Sequence, residues 1–527
     1  MIKMKSNAII LAAGYGMRMV PINTEVPKGL IEINGEKLID RLIEQLHEAE
    51  VMDITVVVGF MKEKYEYLID KYNVNLVVNV DYSRKNNLHS FNLVLSKIYN
   101  TYIVPCDVYC IENPFVYESS DSWYMVTDEM VKDSNVQMDD AHCLRKIKNH
   151  ELGNHMIGIS YIDSSDSKWI KRNIIQLSQD ELYDNAYWEE SLYDNTKMCI
   201  AGRLVSSDEV FEINTYEQLR EIDSHSNQLQ TDAIQVIEEV FDVSNADIQN
   251  ITVLKKGMTN RSFLFTCKDE KYIMRIPGEG TDQLINRKEE ADVYGVIKDK
   301  KLCDDIIYIN PKNGYKITKF LESARVCDST NIEDLKSCMS LLKEFHKMAL
   351  KVNHTFDLFG KINFYESLWN GEASAYLDYL ETKANVFKLK QYIDQYKGEY
   401  VLTHIDAVPD NFLFVKDGVR LIDWEYSSMQ DPHVDIAMFC IYALYDRKQI
   451  DQLIDIYFEN QCAVEIRIKI YCYIAVCGLL WSNWCEYKRN LGVEFGEYSL
   501  RQYRYAKEYY RIAIKEMKKW GLESCIQ

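Results

Sequence analysis

The chain has 527 residues, more than one hydrophobic core ordinarily supports, so its length predicts two or three domains. Apolar residues make up 47% and charged residues 27%, a balance typical of a globular protein rather than a fibrous or disordered one. The net charge of −20, from 61 basic and 81 acidic side chains, argues against a surface for nucleic acid or anionic membranes. Phosphate groups must therefore be bound by a few placed cations.

The 14 cysteines lie singly or in loose pairs such as Cys106 and Cys110, without the spacing of a zinc site. We interpret them as reduced thiols of a cytoplasmic protein. The apolar run at residues 8–13 is interrupted by glycines and Arg18, so we do not expect a signal peptide. The later run at residues 470–481 is about half a membrane span, and no membrane insertion is expected.

In the first half of the chain, apolar β-branched runs alternate with amphipathic stretches. Residues 7–12, 54–58 and 102–104 are typical of strands, and residues 38–49 are typical of a helix. This alternation predicts a Rossmann-like α/β domain with a mixed, mostly parallel sheet. The polar segment 221–232 has no hydrophobic period, and it suggests a boundary between domains 1–228 and 229–527.

The second half begins with three short apolar runs, at residues 251–254, 262–266 and 272–276, that are separated by turn-forming residues. From residue 331 onward the apolar spacing is mostly helical. A small sheet lobe at about 245–325 followed by a helical lobe at about 330–527 predicts an α+β, protein-kinase-like bilobal domain.

A loop of small residues directly follows the first predicted strand, and such loops let backbone N–H groups approach phosphates. Its predicted nucleotide-binding residues are Leu11, Ala12, Ala13, Gly14 and Gly16. The third glycine of a dinucleotide fingerprint is absent at Met19, which disfavours a dehydrogenase. Arg18 and Lys28 instead offer two cations to a triphosphate.

This loop, with Pro27 and Lys28, resembles the L-A-A-G-x-G-x-R and P-K signature of the nucleoside-diphosphate-sugar pyrophosphorylase superfamily, specifically its bacterial phosphocholine cytidylyltransferase branch. The resemblance spans about residues 7–225. It implies that Arg18 and Lys28 neutralise the triphosphate and the charge developing at the α-phosphorus. It also implies that Asn87 and Ser90 contact the base or the ribose of CTP.

Asp107 follows a predicted strand at its carboxyl end, where open α/β sheets bind ligands. The same resemblance implies that Asp107 holds Mg²⁺. The second metal position of that branch reads Glu212-Ile213-Asn214-Thr215 here, so Asn214 replaces a carboxylate. Its amide oxygen remains a possible Mg²⁺ ligand, and the alternative is that Asn214 only caps a strand end.

A phosphocholine head group needs an aromatic face beside negative charge, because a quaternary ammonium cannot donate a hydrogen bond. Trp188, Glu189 and Glu190 offer both, and Glu212 and Trp123 are further candidates. The alternative for Trp188 is a packed side chain at the start of an exposed helix.

The segment from His404 to Asn411, with Asp423 twelve residues later, matches H-x-D-x₄-N followed by D. This arrangement is typical of a phosphotransferase catalytic loop. Asp406 would accept the proton of the acceptor hydroxyl, while Asn411 and Asp423 would hold Mg²⁺. We expect His404 to orient the loop rather than to transfer protons.

Upstream of this loop lies a G-M-T-N turn, whose Gly257, Thr259 and Asn260 can fold over phosphates, and the next predicted strand carries Arg275. An arginine at this point resembles the choline and ethanolamine kinase family, over about residues 230–520. The resemblance implies that Arg275 binds phosphate and pairs with a helix glutamate. Glu290 is the expected partner, with its neighbour Glu289 as the alternative.

Two features near the end of the chain extend this resemblance to the acceptor. Glu425 and Tyr426 lie in a D-W-E-Y segment, and Trp481 and Trp484 share one helix face. The resemblance implies that these side chains bind choline together with a tyrosine. Tyr503 and Tyr505 are the expected tyrosines, although Tyr498, Tyr509 and Tyr510 crowd the same region. Without the kinase motifs the two tryptophans would be assigned to the core.

Together these patterns predict a bifunctional, Mg²⁺-dependent bacterial enzyme. Its C-terminal domain would phosphorylate choline with ATP, and its N-terminal domain would transfer a cytidylyl group from CTP to phosphocholine and release pyrophosphate. The alternatives are ethanolamine, another amino-alcohol or a phosphonate as the substrate, or one domain that binds ligand without turnover.

Overall fold

The structure, a computed structural model, describes residues 6–115, 121–148, 151–254, 260–278, 284–491, 493 and 495–522. The chain folds as two compact units. One comprises Met1–Lys255 and Ser262–Glu270, and the other comprises Lys256–Arg261 and Lys271–Gln527. None of the helices in the described ranges is both long and apolar enough to cross a membrane.

The first unit is built on a mixed sheet of ten strands. In spatial order its main path is Asn75–Val78, Asp53–Val58, Asn7–Ala12, Thr101–Pro105, Gly153–Ile162, Trp123–Val131, Lys197–Val205, Cys143–Lys146 and Val136–Met138, while Tyr193–Asp194 pairs with Lys197–Val205. The first four strands on this path are parallel, as predicted. The strand Gly153–Ile162 then pairs antiparallel with Thr101–Pro105 and begins the mixed half.

Both faces of this sheet are covered, because successive side chains of a strand point to opposite faces. Ala8 and Ile10 lie in one apolar core, and Ile9 between them lies in another. The helices of this unit are Leu38–Glu48, Tyr67–Tyr72, Asn87–Asn92, Ser167–Ser178, Tyr216–Ile222 and Asp232–Phe241. A short antiparallel pair, Val108–Cys110 with Val210–Glu212, follows the central strands. The hairpin Gln249–Val253 and Asn260–Cys267 also belongs largely to this unit.

The second unit has the predicted order of a small sheet followed by helices. Glu270–Pro277, Lys316–Lys319 and Ile306–Ile309 pair antiparallel, and the helix Arg287–Ile297 lies between them in sequence. The later helices are Ile332–Lys347, Leu358–Ser367, Tyr379–Tyr396, His433–Tyr442, Arg447–Tyr457, Val464–Asn490 and Glu497–Trp520. The later short strands are Arg325–Val326, Phe412–Val415 and Gly418–Leu421 in one sheet, and Val401–Thr403 with Ser428–Gln430 in another.

The long helix Val464–Asn490 is the centre of the second core. It packs against the last helix so closely that a Cβ atom on Gly478 would lie 2.8 Å from the Cβ atom of Tyr505. This close approach explains a glycine in the middle of a helix, where glycine is otherwise destabilising. The contact also fixes the axial position of the tyrosines on the last helix relative to Trp481 and Trp484.

Candidate active sites

A cavity of about 630 Å³ opens at the carboxyl ends of the parallel strands of the first unit. Fourteen of the residues predicted for the cytidylyltransferase site line it: Leu11, Ala13, Gly14, Gly16, Arg18, Lys28, Asn87, Ser90, Asp107, Trp188, Glu189, Glu190, Glu212 and Asn214. Ala12 does not line the cavity, because its side chain lies in the apolar core beneath the sheet. The cavity therefore brings together the residues predicted to bind the nucleotide.

The loop after the first strand brings a cation to the cavity. Gly16 has φ +61°, a left-handed conformation that glycine adopts without a steric cost. The residue caps the short 3₁₀ turn Met17–Met19, which carries Arg18. A second 3₁₀ turn, Lys28–Leu30, carries Lys28. Both cations consequently lie on short turns beside backbone that can approach phosphates closely.

These two cations meet the two predicted metal ligands. Lys28 Nζ donates hydrogen bonds to Asp107 and, at 2.6 Å, to Asn214 Oδ1. Arg18 Nη2 donates to the same amide oxygen at 2.7 Å. The backbone N–H of Ile213 donates to the carbonyl of Asp107 at 2.9 Å, which holds Asn214 beside that aspartate.

Asp107 and Asn214 present oxygen atoms to one point, which the lysine ammonium occupies. A carboxylate and an amide oxygen are ligands that a hard divalent cation accepts, so the pair fits Mg²⁺. Among the described residues, no group of three or more His, Cys, Asp or Glu side chains could hold a metal ion. Any magnesium here would therefore depend on the amide of Asn214 and on nucleotide oxygens.

The far wall of the cavity is acidic and aromatic. Glu189 Oε1 accepts a hydrogen bond from the hydroxyl of Tyr124 at 3.1 Å. Glu189 Oε2 is buried without a hydrogen-bond partner among the described residues, and burial raises the pKa of this carboxyl to about 7. Glu190 and Tyr193 also line this wall, and both contact Lys146.

Glu212 lies between the two ends of the cavity. Burial opposes ionisation of its carboxyl, but the hydrogen bond from His155 and the charge of Lys28 outweigh burial and lower its pKa. His155 Nε2 lies 3.4 Å from Glu212 Oε2. This glutamate is therefore charged at neutral pH.

In the second unit, Asp435 fixes the backbone of the predicted catalytic loop. Its carboxylate accepts the N–H groups of His404 at 2.9 Å and Ile405 at 2.8 Å. It also bonds Nε2 of His346 at 2.9 Å, so His346 helps to hold this aspartate in place. The ring of His404 bonds the carbonyl of Ile422 at 3.0 Å, which joins the loop to the segment that carries Asp423.

Asp406 lies at the centre of an acidic group. The Asn411 side-chain amide donates to the carbonyl of Asp406 at 2.9 Å and approaches its carboxylate at 3.4 Å. Burial, followed by the charges of Asp423 and Glu425, raises the pKa of Asp406 to about 8. The carboxylates of Asp406 and Asp423 with the amide of Asn411 offer a cation the oxygen ligands that Mg²⁺ prefers.

Arg275 and Glu290 form a buried bidentate ion pair. The two guanidinium nitrogens donate to the two carboxylate oxygens at 2.5 and 2.8 Å. Arg287 also donates to Glu290, at 3.3 Å, and Lys316 Nζ lies 3.8 Å away. Burial opposes ionisation, but the charges of Arg275 and Lys316 lower the pKa of Glu290 to about 2. The geometry thus selects Glu290 over Glu289 as the partner of Arg275.

Four aromatic rings form a continuous wall in the second unit. Tyr426 lies perpendicular to Trp481 with ring centroids 6.0 Å apart, and Trp481 is 5.4 Å from Trp484. Trp484 lies 5.1 Å from Phe495. The tryptophans are only 7% and 4% exposed, so they contribute to the core as well as to this wall. We call these four residues the aromatic wall.

Two family models match the chain: the MobA-like NTP transferase domain matches residues 8–129, and choline/ethanolamine kinase matches residues 251–502. The chain joins a MobA-like NTP transferase domain to a choline/ethanolamine kinase domain. Both of these domains are enzyme domains, one a nucleotidyltransferase and the other a choline/ethanolamine kinase.

Three relatives illustrate the similarity. Choline-phosphate cytidylyltransferase of Streptococcus pneumoniae (strain ATCC BAA-255 / R6) is 29% identical over 230 residues, 41% of this chain and 96% of that protein. The 2-aminoethylphosphonate cytidylyltransferase of Lancefieldella rimae is 30% identical over 231 residues, 42% of this chain and 92% of that protein. The third relative is the protein in a crystal structure of choline kinase LicA from Streptococcus pneumoniae, whose sequence is 30% identical to this chain. The match covers 53% of this chain and 98% of that chain, with a TM-score of 0.47.

In the NTP transferase domain, the structure corrects the prediction for Trp123. Its indole lies on the opposite face of its strand from Tyr124, 6.3 Å from Tyr102 and beneath the guanidinium of Arg203. Tyr124 lines the cavity in its place. Trp188 touches the cavity but is 1% exposed and packs 4.9 Å from Phe91, so it is mainly a core residue.

The two predicted nucleotide contacts beyond the loop also take part in the domain's own hydrogen bonds. Asn87 Oδ1 accepts the backbone N–H of Trp188 at 2.8 Å. Ser90 accepts a hydrogen bond from the side chain of Asn79 at 2.8 Å and is buried. Asn87 is the first residue of the helix Asn87–Asn92 and Ser90 lies within it, and this helix forms one side of the cavity.

In the kinase domain, the structure corrects the assignment of Glu425 to the choline head group. Glu425 Oε2 accepts a hydrogen bond from the Asn260 side chain at 3.0 Å, and it lies 3.7 Å from nitrogens of Arg275 and Arg287. Glu425 therefore pairs with Arg275 and Arg287, where the nucleotide phosphates are predicted to bind, rather than with the choline head group. Gly257 and Thr259, also predicted to contact the nucleotide, lie outside the described residues.

The structure places the two tyrosines predicted for choline, Tyr503 and Tyr505, away from the aromatic wall. Tyr503 stacks on Tyr376 with ring centroids 3.8 Å apart, and its hydroxyl bonds Asp378 at 2.8 Å. Tyr505 donates to the carbonyl of Tyr445 at 2.7 Å. Both side chains are packed in these contacts rather than on the aromatic wall.

Tyr498 instead lies at the end of the aromatic wall, where its ring is 6.4 Å from that of Phe495. Burial, with contributions from Cys485 and then Asp406, raises the pKa of Tyr498, so this tyrosine lies within electrostatic reach of Asp406. Seven residues separate Tyr498 from Tyr505, so the two share a helix face about two turns apart. Sequence spacing predicts which face of the last helix carries a tyrosine, but it does not predict how far along the helix that tyrosine lies.

Proposed function

We propose that the kinase domain phosphorylates choline with ATP, and that the NTP transferase domain then joins CTP and phosphocholine to give CDP-choline and pyrophosphate. The observation that carries the proposal is the aromatic wall near Asp406. Aromatic faces hold a quaternary ammonium, which offers no hydrogen-bond donor. We place the division between the two activities near residue 228.

In the proposed kinase reaction, the hydroxyl oxygen of choline attacks the γ-phosphorus of ATP and gives its proton to Asp406, while the bond from that phosphorus to ADP breaks. Tyr426 is close enough that the charge of Asp406 raises its pKa, after the larger effects of burial, Tyr365 and Glu425. The wall would thus hold the ammonium while the hydroxyl faces the base. Arg275, held by Glu290, would bind the phosphates, and Mg²⁺ on Asn411 and Asp423 would neutralise their charge when bound.

In the proposed cytidylyl transfer, a phosphate oxygen of phosphocholine attacks the α-phosphorus of CTP, and the bond to pyrophosphate breaks. The nucleophile is already an anion at neutral pH, so positioning and charge neutralisation supply the catalysis. Lys28 and Arg18 would neutralise the α-phosphate and pyrophosphate. Mg²⁺ would add positive charge when it is bound by Asp107 and Asn214.

The presence of a kinase domain favours a phosphate ester over a phosphonate as the nucleophile. The two cytidylyltransferase relatives are named for phosphocholine and for 2-aminoethylphosphonate. A phosphonate has a carbon–phosphorus bond, which phosphoryl transfer to a hydroxyl does not make. A phosphate ester, in contrast, is the direct product of the kinase domain.

The decisive experiment incubates the protein with choline, ATP, CTP and Mg²⁺ and separates the products by chromatography. CDP-choline and pyrophosphate should appear, and they should require both nucleotides. If no cytidine diphosphate ester forms, the proposal is wrong. Ethanolamine in competition with choline tests the substrate, because preferential formation of CDP-ethanolamine would replace choline in the proposal.

The substitution Trp481→Leu should separate choline from ethanolamine. We expect the KM for choline to rise about tenfold or more, because a desolvated cation–π contact contributes about 2 kcal/mol. The KM for ethanolamine should rise less, since a primary ammonium also uses hydrogen-bond acceptors. Steady-state ADP release measures both constants. Trp520→Leu, at a half-exposed position of the last helix, is the control, and equal effects on both amines would contradict the prediction.

The substitution Asn214→Asp should lower the Mg²⁺ concentration that gives half-maximal cytidylyl transfer several-fold. A second carboxylate beside Asp107 would bind a divalent cation more strongly than an amide does. The kinase reaction of the same protein supplies an internal control, because its Mg²⁺ requirement should not change. Asn195→Asp, at an exposed turn, adds the same charge outside the cavity. An unchanged requirement would remove Asn214 from the proposed metal site.

A further inference from the structure

Two side chains of the helix Asn87–Asn92 present hydrogen-bond donors to the cavity of the NTP transferase domain. Asn87 and Ser90 are three positions apart, so they lie on one side of the helix, and both line the cavity. Asn87 Oδ1 accepts the backbone N–H of Trp188 at 2.8 Å. Since that is the one hydrogen bond of this side chain within the described residues, its Nδ2 atom is left to donate to a ligand.

Asn79 makes the hydroxyl of Ser90 a donor. Asn79 Oδ1 accepts the backbone N–H of Asp81 at 2.9 Å, and because a backbone N–H can only donate, this bond fixes which end of the amide is oxygen. The Nδ2 atom of Asn79 therefore donates to Ser90 Oγ, at 2.8 Å. Within the described part of the chain the Ser90 side chain makes no other hydrogen bond, so its proton is left for a ligand.

Aromatic rings beside this helix offer a surface on which a nucleobase can stack. Tyr82, three residues after Asn79, lines the cavity together with Tyr15 of the loop after the first strand. Their ring centroids are 6.2 Å apart and their planes differ by 24°. Tyr82 packs closely on Gly59, where a Cβ atom would lie 2.8 Å from its ring. Stacking is tolerant of base identity, so any selection among bases must come from the hydrogen-bond donors.

The two donors match cytosine and not uracil. The edge of cytosine has two adjacent acceptors, O2 and N3, whereas N3 of uracil carries a hydrogen and is a donor. O2 lies next to the ribose, and N3 is one position further from it. The half-buried Asn87 therefore suits O2, and the buried Ser90 suits N3. A hydroxyl that is held as a donor leaves the N3–H of uracil without an acceptor.

We propose that Asn79 makes this site selective for CTP over UTP, because it holds the Ser90 hydroxyl as a donor to N3 of the cytosine base. This inference rests on the proposed cytidylyl transfer and names the determinant of its base specificity. Asn79 does not line the cavity, so it is a positioning residue that acts through Ser90. Asn87 would contact O2, which both pyrimidines share, and would not discriminate between them.

The substitution Ser90→Ala removes the donor without adding bulk. In transfer to phosphocholine, kcat/KM for CTP should fall about tenfold, the effect of leaving one buried group unpaired, and kcat/KM for UTP should not fall. Pyrophosphate release measures both. Ser96→Ala, at an exposed position just after the same helix, is the matched control and should keep the wild-type ratio of CTP to UTP. An unchanged ratio in the Ser90→Ala protein would overturn the proposal.

The substitution Asn79→Asp tests the direction of the hydrogen bond. A carboxylate of the same size accepts both from the N–H of Asp81 and from the hydroxyl of Ser90, and these bonds favour its ionised form. Ser90 would then turn a lone pair towards the base and accept the N3–H of uracil. The ratio of CTP to UTP activity should fall about tenfold below that of Ser90→Ala. Both nucleotides carry the same triphosphate, so a general loss of activity cancels. A ratio no lower than that of Ser90→Ala would overturn the role of Asn79.

Calorimetric titration with CTP and with UTP, without phosphocholine, distinguishes failure of this inference from failure of the proposed function. CTP should bind about tenfold more weakly to the Ser90→Ala protein than to wild type, and UTP should bind equally. Nucleotide binding by the kinase domain is common to both proteins and cancels in the comparison. If wild type makes no CDP-choline but the titrations show this difference, the proposed function fails and the base selection stands. Equal changes for both nucleotides would overturn the base selection independently of turnover.

Discussion

Substitution of Asp406 by asparagine should lower kcat for choline phosphorylation by about 10²–10⁴-fold, the usual contribution of a general base. An amide cannot accept the hydroxyl proton, although it keeps the size of the side chain. Cytidylyl transfer from CTP to supplied phosphocholine should continue at the wild-type rate. ADP release in the presence of choline measures the first reaction, and pyrophosphate release from CTP measures the second on the same sample.

Asp410→Asn is the matched control for this loss. Asp410 is exposed, lies four residues further along the same loop, and accepts a hydrogen bond from the hydroxyl of Tyr442 at 2.8 Å. Its substitution should change kcat by less than about threefold, in keeping with a surface position. If the Asp406→Asn protein kept a tenth or more of the kinase activity, Asp406 would not be the base.

The same variant has a pH signature in the absence of Mg²⁺ and nucleotide. The folded-state pKa of Asp406 is about 8, above the value of about 3.9 for an unfolded chain. The folded protein therefore binds the proton more tightly, and this group lowers the free energy of unfolding as pH rises from about 4 to 8. Asparagine cannot ionise, so Asp406→Asn should raise Tm relative to wild type more at pH 8 than at pH 5, by about 2 °C or more.

The sequence was sufficient to locate the parallel strands and the cationic loop. An apolar run that is buried on both faces reads as a strand without reference to its neighbours, as residues 7–12 do. The glycine and arginine of the loop are close in sequence, so their pattern is local. Lys28 and Asp107 are 79 positions apart, and they were predicted on different grounds. Asp107 follows a strand to the carboxyl edge of the sheet, whereas Lys28 was predicted as a second cation of the loop and from the family resemblance of that loop.

The substrate-facing side chains were harder to predict, for geometric reasons. Trp123 and Tyr124 are neighbours on one strand, so their side chains point to opposite faces of the sheet. We predicted that the tryptophan would line the cavity because of its large aromatic ring, but the sheet places that ring in the core. The contact between Lys146 and Glu190 joins residues on separate segments, 44 positions apart, and has no local pattern. The matched NTP transferase range ends at residue 129, before Glu189, Glu190 and Tyr193, so similarity to that model says little about this wall.

Substitution of Lys28 by methionine should reduce cytidylyl transfer by about 10²–10³-fold, the usual effect of removing one group that stabilises transition-state charge. Methionine keeps the length of the side chain, so the loss would measure charge rather than packing. In the wild type, the ammonium of Lys28 lies between Asp107 and Asn214, and those contacts would hold the ammonium at the phosphates. Pyrophosphate release from CTP and phosphocholine measures the effect, and choline phosphorylation should be unchanged.

Two controls separate this role of Lys28 from general effects of charge. Lys62→Met removes the same charge from an exposed side chain that pairs with its neighbour Glu63, and it should leave both activities intact. Lys28→Arg keeps the charge but replaces a compact ammonium by a planar guanidinium, so it should restore only part of the rate. Since the phosphate nucleophile needs no base, the pH profile of the residual Lys28→Met activity should keep its wild-type shape. A changed profile would mean that Lys28 transfers a proton, and charge neutralisation alone would then not account for the site.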